Sequence, residues 1–563
     1  MATSSSSGGS PFPKWQIALA VGATGAIGLG YWYLRQQYKE GKKANLTGIK
    51  NSISIDDASQ DTPITETPLQ LAQRFKNEGN LQFKKGKYDE AISFYNKAIE
   101  VCPEGQKLDL ATFYQNRAAA YEQLKKWSSV ITDCTKALEQ NQKYEKALFR
   151  RAKAYEAIKD WENCLDDVTA VCLIQNFQHQ NALVMADRVL KELGKQHAAE
   201  AIKVRKPRLP SNQFIKTYFT SFSEDPVYKK LISTEEPIGE GDVSGFLKAK
   251  LAFATENFEE IIPACTEEIN SSESESHFIM EALSLRASFL LLSGGHKDAL
   301  EDFKSIIEAT NCDVKIKVNT LIKRASLHMQ LDNIEECLED FAKAAELGPD
   351  ISDVFHHRGQ VKLLMDKTEE ARQDFSRAVE LNPDFAIAVV QKCYADYRYA
   401  MISQNVAMLM QNISDFKKAT ERFSSCAEVF VLYGQVLTER QEFAEADKLY
   451  LKALEIEPYN ATVLVHRGLL QLQWKGNIEQ AVELMKDAIK LDEKCEFAYE
   501  TLGTVEVQRG NLVVAVDLFD KAIGLARTET EMTHLFSLKD AAISQLKVTT
   551  KLGIGPQLLK PNI

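Results

Sequence analysis

A pattern with a period of about 34 residues recurs along this chain and constrains its fold more than any other feature. In its first copy, a small residue at Gly79 is followed by aromatic residues at Tyr88 and Tyr95. The small-residue position returns at Ala118 and Ala152, which lie one full period apart. Such a period fits two short helices with their turns, and the small residue marks the point where the two helices approach closely.

The same position returns after a gap, each time with a large partner residue further along the chain. Cys393 marks an irregular copy, and a weaker copy surrounds Ala249. The pattern resembles the tetratricopeptide repeat (TPR) family, which implies an all-α, right-handed superhelical solenoid of about eleven repeats, three and then roughly eight. The later small residues and their partners are Ala287 with Phe303, Ala325 with Phe341, Gly359 with Phe375, Gly434 with Tyr450, Gly468 with Met485, and Gly503 with Phe519.

Five polar residues in the first three repeats occupy positions that face inward in TPR solenoids. If the small residue is slot 8, the inward slots of the first helix of each hairpin are 2, 5, 6 and 9. The set offers cations and amides, which donate hydrogen bonds to carboxylates. Its members are Lys76 and Asn80 in the first repeat, Asn116 in the second, and Lys146 and Arg150 in the third.

This set resembles the carboxylate clamp of chaperone-binding TPR domains. The resemblance implies that the five residues bind the C-terminal Glu-Glu-Val-Asp tail of cytosolic heat-shock chaperones. The alternative is a solvated helix face, since lysine, arginine and asparagine are common on exposed helices.

The segment from Trp15 to Leu34 carries no charge along its whole length. As an α-helix of about 20 residues it would cover about 30 Å, the thickness of a bilayer core. We therefore expect one transmembrane anchor at residues 15–34. A signal peptide cleaved after Ala18–Ala20 is the alternative, but the apolar run between Lys14 and that site is too short.

Basic residues after the anchor set its orientation. Arg35, Lys39, Lys42 and Lys43 follow the segment, whereas Lys14 alone precedes it. The positive-inside rule then leaves the repeats in the cytosol and the N-terminus on the far side of the membrane. A moderately hydrophobic anchor with a basic flank is typical of the mitochondrial outer membrane, where the N-terminus would face the intermembrane space. The endoplasmic reticulum remains an alternative.

Composition favours a binding protein over an enzyme. The net charge of −11 argues against nucleic-acid binding. Ten cysteines include no C-x-x-C pair, so we expect small buried hydrophobes in a reducing compartment. The sequence contains no metal-binding, phosphate-binding or nucleophile motif, and it suggests no cofactor and no catalytic activity.

Breaks in the repeat pattern predict the domain organisation. A polar tether follows the anchor, and an extra helix with an irregular, proline-rich linker follows the third repeat. The predicted divisions are an N-terminal segment 1–14, the anchor 15–34, a flank and tether 35–69, a clamp domain 70–176, a connector 177–239, a C-terminal repeat domain 240–546 and a tail 547–563.

The whole chain resembles the animal form of the 70-kDa receptors of the mitochondrial outer-membrane translocase. The segments RRAKAYEAIKDWENCLDDVTAVCLIQNF, from Arg150 to Phe177, and QFIKTYFTSF carry the resemblance most clearly. It implies an outer-membrane import receptor that docks chaperones, accepts precursor proteins, especially carrier-type ones with internal signals, and works with other translocase subunits.

The inward slots of the C-terminal repeats are mostly apolar, which suggests a groove for precursor segments. The alternative is that neighbouring helices cover these side chains. A chain without this groove would be a membrane-anchored co-chaperone or scaffold, on this or another membrane. The candidate groove residues are Ile322, Ile387, Val390, Tyr394, Val431, Leu432, Val465 and Leu469.

Overall fold

The computed structural model of the chain describes residues 66–233, 245–271 and 278–554. The predicted anchor at 15–34 lies outside these ranges. Within them, no helix combines the length and the apolar composition that crossing a bilayer requires.

The first six helices form three antiparallel hairpins, one for each repeat predicted before the gap. Strong contacts join the two helices of each hairpin and each hairpin to the next. The helices are α1 Pro68–Lys84, α2 Tyr88–Val101, α3 Lys107–Gln123, α4 Trp127–Gln140, α5 Glu145–Ala157 and α6 Trp161–Ile174.

A long helix and a segment with two short helices follow the third hairpin. The long helix α7 spans Gln180–Val204, and the short helices are α8 Asn212–Thr220 and α9 Pro226–Ile232. We call residues 205–232 the strap. Sequence reasoning expected an irregular linker here, but Ser211 and Asp225 each accept hydrogen bonds from backbone amides and start the two short helices.

Eight more hairpins follow, so the described residues contain the eleven repeats that the pattern predicts. A final long helix, α26, spans Glu529–Leu552, and the predicted tail 547–563 therefore begins inside it. The other helices are α10 Gly245–Ala254, α11 Ile261–Asn270 after a short 3₁₀ turn, α12 Ile279–Ser293, α13 His296–Glu308, α14 Val314–Gln330, α15 Ile334–Leu347, α16 Ser352–Leu364, α17 Thr368–Leu381, α18 Ala386–Ile402, α19 Val406–Arg422, α20 Ala427–Glu439, α21 Phe443–Ile456, α22 Ala461–Lys475, α23 Ile478–Leu491, α24 Glu496–Gln508 and α25 Leu512–Leu525.

Small residues lie where the two helices of a hairpin touch, as predicted. A Cβ atom at Gly79 would be 2.6 Å from Cε1 of Tyr95, and one at Gly503 would be 2.7 Å from Cε1 of Phe519. In both pairs the ring belongs to the second helix of the same hairpin. No larger side chain fits this contact without moving the second helix.

An arginine–aspartate ion pair braces five of the hairpins, and in each one the arginine lies on the first helix and the aspartate on the second. Nε and Nη2 of the arginine donate to the two carboxylate oxygens at 2.6–2.9 Å. Two parallel bonds of this kind fix both distance and orientation. The pairs are Arg117–Asp133, Arg151–Asp167, Arg286–Asp302, Arg324–Asp340 and Arg358–Asp374.

The C-terminal helix α26 packs against α6 and α7, so the end of the chain returns to the first domain. A Cβ atom at Gly194 would lie 2.5 Å from the carbonyl oxygen of Thr533, which shows how closely α7 and α26 approach. His197 Nδ1 lies 2.9 Å from Asp540 Oδ2. Lys547 pairs with Asp166 at the other end of the contact.

The strap packs against the first helices of the C-terminal repeats. Lys323 Nζ, on α14, lies 2.7 Å from Asp225 Oδ2, and both side chains are almost fully buried. Asp353 on α16 accepts hydrogen bonds from the strap amides of Ser223 and Glu224 at 2.8 and 3.0 Å. Phe219 belongs to the largest hydrophobic cluster among the described residues. The strap is therefore part of the C-terminal core.

All ten cysteines are free, and seven of them are buried. Burial raises the pKa of Cys134, Cys164 and Cys265 to about 12. A thiol with such a pKa is almost entirely protonated at neutral pH, which makes these three side chains unreactive packing groups.

We expect Gly503→Ala to lower the stability of the C-terminal repeats by about 1–3 kcal/mol, because its methyl group would overlap the ring of Phe519. Gly524 in the next helix is the matched control, since a Cβ there meets no atom within 4 Å. Gly524→Ala should leave the thermal unfolding midpoint unchanged or raise it slightly. Equal midpoints for the two variants would contradict the packing argument.

Candidate peptide-binding sites

Asn80 and Asn116 join the first helices of the first two repeats. The Asn116 side-chain amide donates to Asn80 Oδ1 at 3.2 Å, and the Tyr95 hydroxyl donates to the same oxygen at 2.8 Å. Because Tyr95 is the ring packed on Gly79, the repeat contact itself orients Asn80. The two asparagines thus form one polar surface across α1 and α3.

Arg150 extends this surface to the third repeat. Its Nη1 donates to the carbonyl oxygen of Gln115 at 3.4 Å, next to Asn116, and its Nε donates to Glu122 Oε2 at 2.6 Å. One fifth of the Arg150 side chain remains exposed. The guanidinium therefore stays within reach of a ligand while α3 holds it in place.

Lys76 and Lys146 lie one helical turn before Asn80 and Arg150. Lys146 is exposed and Lys76 is partly buried. Within the described ranges, neither ammonium group takes part in an ion pair. The structure thus brings Asn80, Asn116 and Arg150 into one contiguous set and adds two lysines on the same helices.

Sequence reasoning missed the acidic partner in this set. Glu122 contacts both Arg150 and Lys153, with the Lys153 Nζ at 3.4 Å from Oε1. A glutamate on a helix is too common for its sequence position to indicate this role. Its carboxylate offsets part of the positive charge while no ligand is bound.

The eight apolar residues proposed as a groove lie mostly in the core. Ile322, Val390, Val431, Leu432, Val465 and Leu469 are each less than 9% exposed, and Ile387 and Tyr394 are partly buried. The reason is that the first helices of successive repeats contact one another, as α14 contacts α16 and α20 contacts α22. In this conformation the eight residues do not form an open apolar surface.

A cavity of about 110 Å³ lies beside these residues, between the strap and the last repeats. The strap, the starts of α22 and α24, and the end of α25 form its walls. Of the eight proposed groove residues, only Val431 lines it. Its apolar walls include Leu209, Phe214, Val463, Phe497 and Leu525, and its charged residues include Arg208, Glu428, Asp492, Lys494, Glu496 and Arg527.

Burial shifts the pKa of one carboxyl group that lines this cavity. Desolvation, reinforced by the carboxylate of Glu531, raises the pKa of Glu496 well above its ordinary value, although Arg527 opposes the shift. The Arg527 guanidinium stacks 4.5 Å from the centre of the Phe214 ring. The cavity therefore combines apolar walls with charged groups of both signs in a site partly shielded from water.

The described part of the chain contains no group of three histidine, cysteine, aspartate or glutamate side chains that could hold a metal ion. His356 and His357 are adjacent and fully buried, and burial lowers the pKa of His357 to about 3. The His357 ring packs against the Phe222 ring of the strap, with 4.3 Å between the ring centres and a tilt of 40°, which indicates a packing role.

The repeat profiles that match this chain agree with its helical hairpins. The tetratricopeptide repeat family matches residues 72–104, and a second profile of the same description matches 352–385 and 427–460. The yeast Tom70 crystal structure is 25% identical, with a TM-score of 0.47, over 86% of this chain and 99% of that one.

Sequence relatives span nearly the full length. The mitochondrial import receptor subunit TOM70 of Rattus norvegicus is 45% identical over 98% of this chain and 95% of the relative. The Homo sapiens protein of the same name is 45% identical over 97% of this chain and 94% of the relative. The chain therefore belongs to the TOM70 family of mitochondrial import receptor subunits.

Proposed function

We propose that this import receptor of the mitochondrial outer membrane docks cytosolic heat-shock chaperones through Lys76, Asn80, Asn116, Lys146 and Arg150. The contiguous polar set on α1, α3 and α5 carries the proposal. Its ligand is a peptide that ends in carboxylates, such as a tail ending in Glu-Glu-Val-Asp. The lysines and Arg150 would hold the carboxylates, and the asparagines would fix the orientation of the backbone.

Arg150 is the most informative member to change, because it contacts the second repeat and keeps part of its guanidinium exposed. Arg150→Ala should cost about 1.5–3 kcal/mol of binding energy for a Glu-Glu-Val-Asp peptide, which raises Kd roughly 10- to 150-fold. Calorimetry with the full chain measures this directly. Binding should also weaken with added salt.

Lys195→Ala is the matched control, because it removes the same charge from an exposed side chain of α7. It should leave the affinity for the peptide unchanged. Equal affinity in Arg150→Ala and the parent chain would overturn the clamp assignment.

A second proposed site receives precursor proteins with internal signals, for transfer to the import pore with other translocase subunits. The cavity between the strap and the last repeats supports it, because its apolar walls and charged residues suit an amphipathic segment. Its volume admits a bulky side chain in this conformation. A chain that bound only chaperone tails would be an anchored co-chaperone instead.

Two threonines of α8 offer a matched test of this site. Thr217 lines the cavity, whereas Thr220 is exposed, and each hydroxyl donates to the carbonyl group four residues earlier. Thr217→Phe should fill the cavity and weaken the binding of a carrier-type precursor peptide by about tenfold or more, since it excludes the ligand side chain. Thr220→Phe should bind as the parent does.

Chaperone-tail binding should survive in both threonine variants, because the clamp lies on other helices. Undiminished precursor binding by Thr217→Phe, with the fold intact by circular dichroism, would place the precursor site elsewhere.

We also propose a single-pass topology, with the anchor at 15–34, the N-terminus in the intermembrane space and the repeats in the cytosol. The excess of basic residues after the anchor supports this orientation. Protease added to intact mitochondria should therefore remove the repeats. If the repeats were cleaved only after rupture of the outer membrane, the orientation would be the opposite of the one proposed.

A further inference from the structure

One hairpin is longer than its neighbours. Gly359 and Cys393 are one repeat period apart, whereas the distance along the chain from Cys393 to Gly434 exceeds that period by roughly two helical turns. The first helix α18 has 17 residues against 13 in α16 and α20, and the second helix α19 has 17 against 14 in α17 and α21. The insertion therefore adds about one turn to each helix.

This extra turn carries the end of the hairpin beyond its neighbours by about 5–6 Å, at about 1.5 Å per helical residue. Phe416 shows that the base of the hairpin keeps the usual packing. Phe416 is the large partner of Cys393, as Phe375 is of Gly359, and the insertion increases its separation from Cys393 along the chain. Phe416 is nevertheless fully buried, and its ring stacks 5.0 Å from the ring of Tyr433. The insertion thus lengthens the hairpin without disturbing the core.

The projecting tip is apolar and exposed. Met401 is 51% exposed, Ile402 and Val406 are each 67% exposed, and Met410 is 68% exposed. Residues 399–414 contain no charged side chain, although charged residues make up 26% of the whole chain. Single apolar side chains scattered over a surface are ordinary, but a contiguous exposed group of them has a free-energy cost in water and indicates an interaction site.

We propose that this tip, residues 399–414, inserts into the lipid surface of the membrane on which the protein resides. Its four apolar side chains would enter the boundary between headgroups and acyl chains. Amphipathic elements bury their apolar faces about 5–10 Å deep in that region, which matches the projection of the extra turn.

The shape and chemistry of the tip favour lipid over a protein partner. A stable protein interface buries about 800 Å² on each side, which four side chains on a convex turn do not supply. The binding energy of a protein interface is concentrated in tryptophan, tyrosine and arginine anchors, and none of the four exposed side chains is one of these. A fluid surface accepts aliphatic and methionine side chains without shape complementarity.

This inference rests on the proposed anchor, which would tether the tip to a bilayer. The described part of the chain begins at residue 66, and the proposed anchor ends at residue 34. The intervening segment of about 30 residues would span up to about 100 Å when extended. Anchoring raises the local concentration of the tip at the bilayer, so a contact too weak for a free protein would be populated here.

The test uses the full chain in nanodiscs of phosphatidylcholine, phosphatidylethanolamine and phosphatidylinositol, with a phosphatidylcholine that carries a photoreactive diazirine on its acyl chain. After illumination, mass spectrometry maps the lipid adducts. We expect adducts within 399–414. Ile402→Gln with Val406→Gln should lower their yield about fivefold or more, because both apolar contacts become polar without adding charge.

The matched control is Val513→Gln with Val514→Gln, which changes two exposed valines at the start of α25. It should leave the yield at 399–414 unchanged. Absence of adducts at 399–414 would overturn the proposal, as would an equal yield in the tip variant. Slow amide exchange at the tip without adducts would also overturn it, in favour of a protein partner. Lipid adducts at 15–34 report the proposed anchor separately, so failure of the anchor and failure of the tip contact are distinguishable. The outcome is independent of both peptide sites.

Discussion

The structure depends on one contact within each hairpin. A small residue on the first helix meets a large side chain on the second helix, most often an aromatic ring. In five repeats the arginine of the arginine–aspartate pair immediately precedes the small residue, and the pair holds the same two helices at a fixed distance. The small-residue contacts thus define the inner faces of the hairpins, and the ion pairs add rigidity to these five. Asn80 illustrates the consequence. The ring of Tyr95 fills the space beside Gly79, and the hydroxyl of the same tyrosine donates the hydrogen bond that orients the Asn80 side chain.

The two proposed sites use this rigidity differently. The proposed clamp uses polar side chains on the first helices of three consecutive repeats. The regular stacking of the repeats is enough to bring these side chains together. The cavity needs a segment outside the period, because the strap supplies one of its walls and is itself fastened by the buried pair between Lys323 and Asp225. Separating the two partners would leave each charge buried and uncompensated, so the strap has little freedom to move away from the first helices of the C-terminal repeats.

Sequence reasoning succeeded where a feature is local or periodic. The repeat number, the small-residue contacts and the placement of the five polar residues on α1, α3 and α5 could all be predicted from spacing and residue type. Their role as a clamp stays a prediction. Sequence reasoning left open whether residues such as Val465 line a groove or are covered by neighbouring helices, because an inward slot is open only where adjacent first helices stand apart and residue spacing does not determine that distance. The role of Glu122 and the return of α26 to α7 depend on contacts between distant segments, and no local pattern encodes them.

The packing of α26 on α6 and α7 changes how the protein can come apart. An open solenoid has two free ends, and its outermost repeats fray first because each has only one neighbour. Here the last helix covers the end of the third repeat, so that end has neighbours on both sides. Opening the third repeat, which carries Lys146 and Arg150, therefore also breaks the contacts that α26 makes with α6 and α7. Two segments far apart in the chain open together, so the stability of the part of the polar set on α5 depends on a helix from the far end of the described residues.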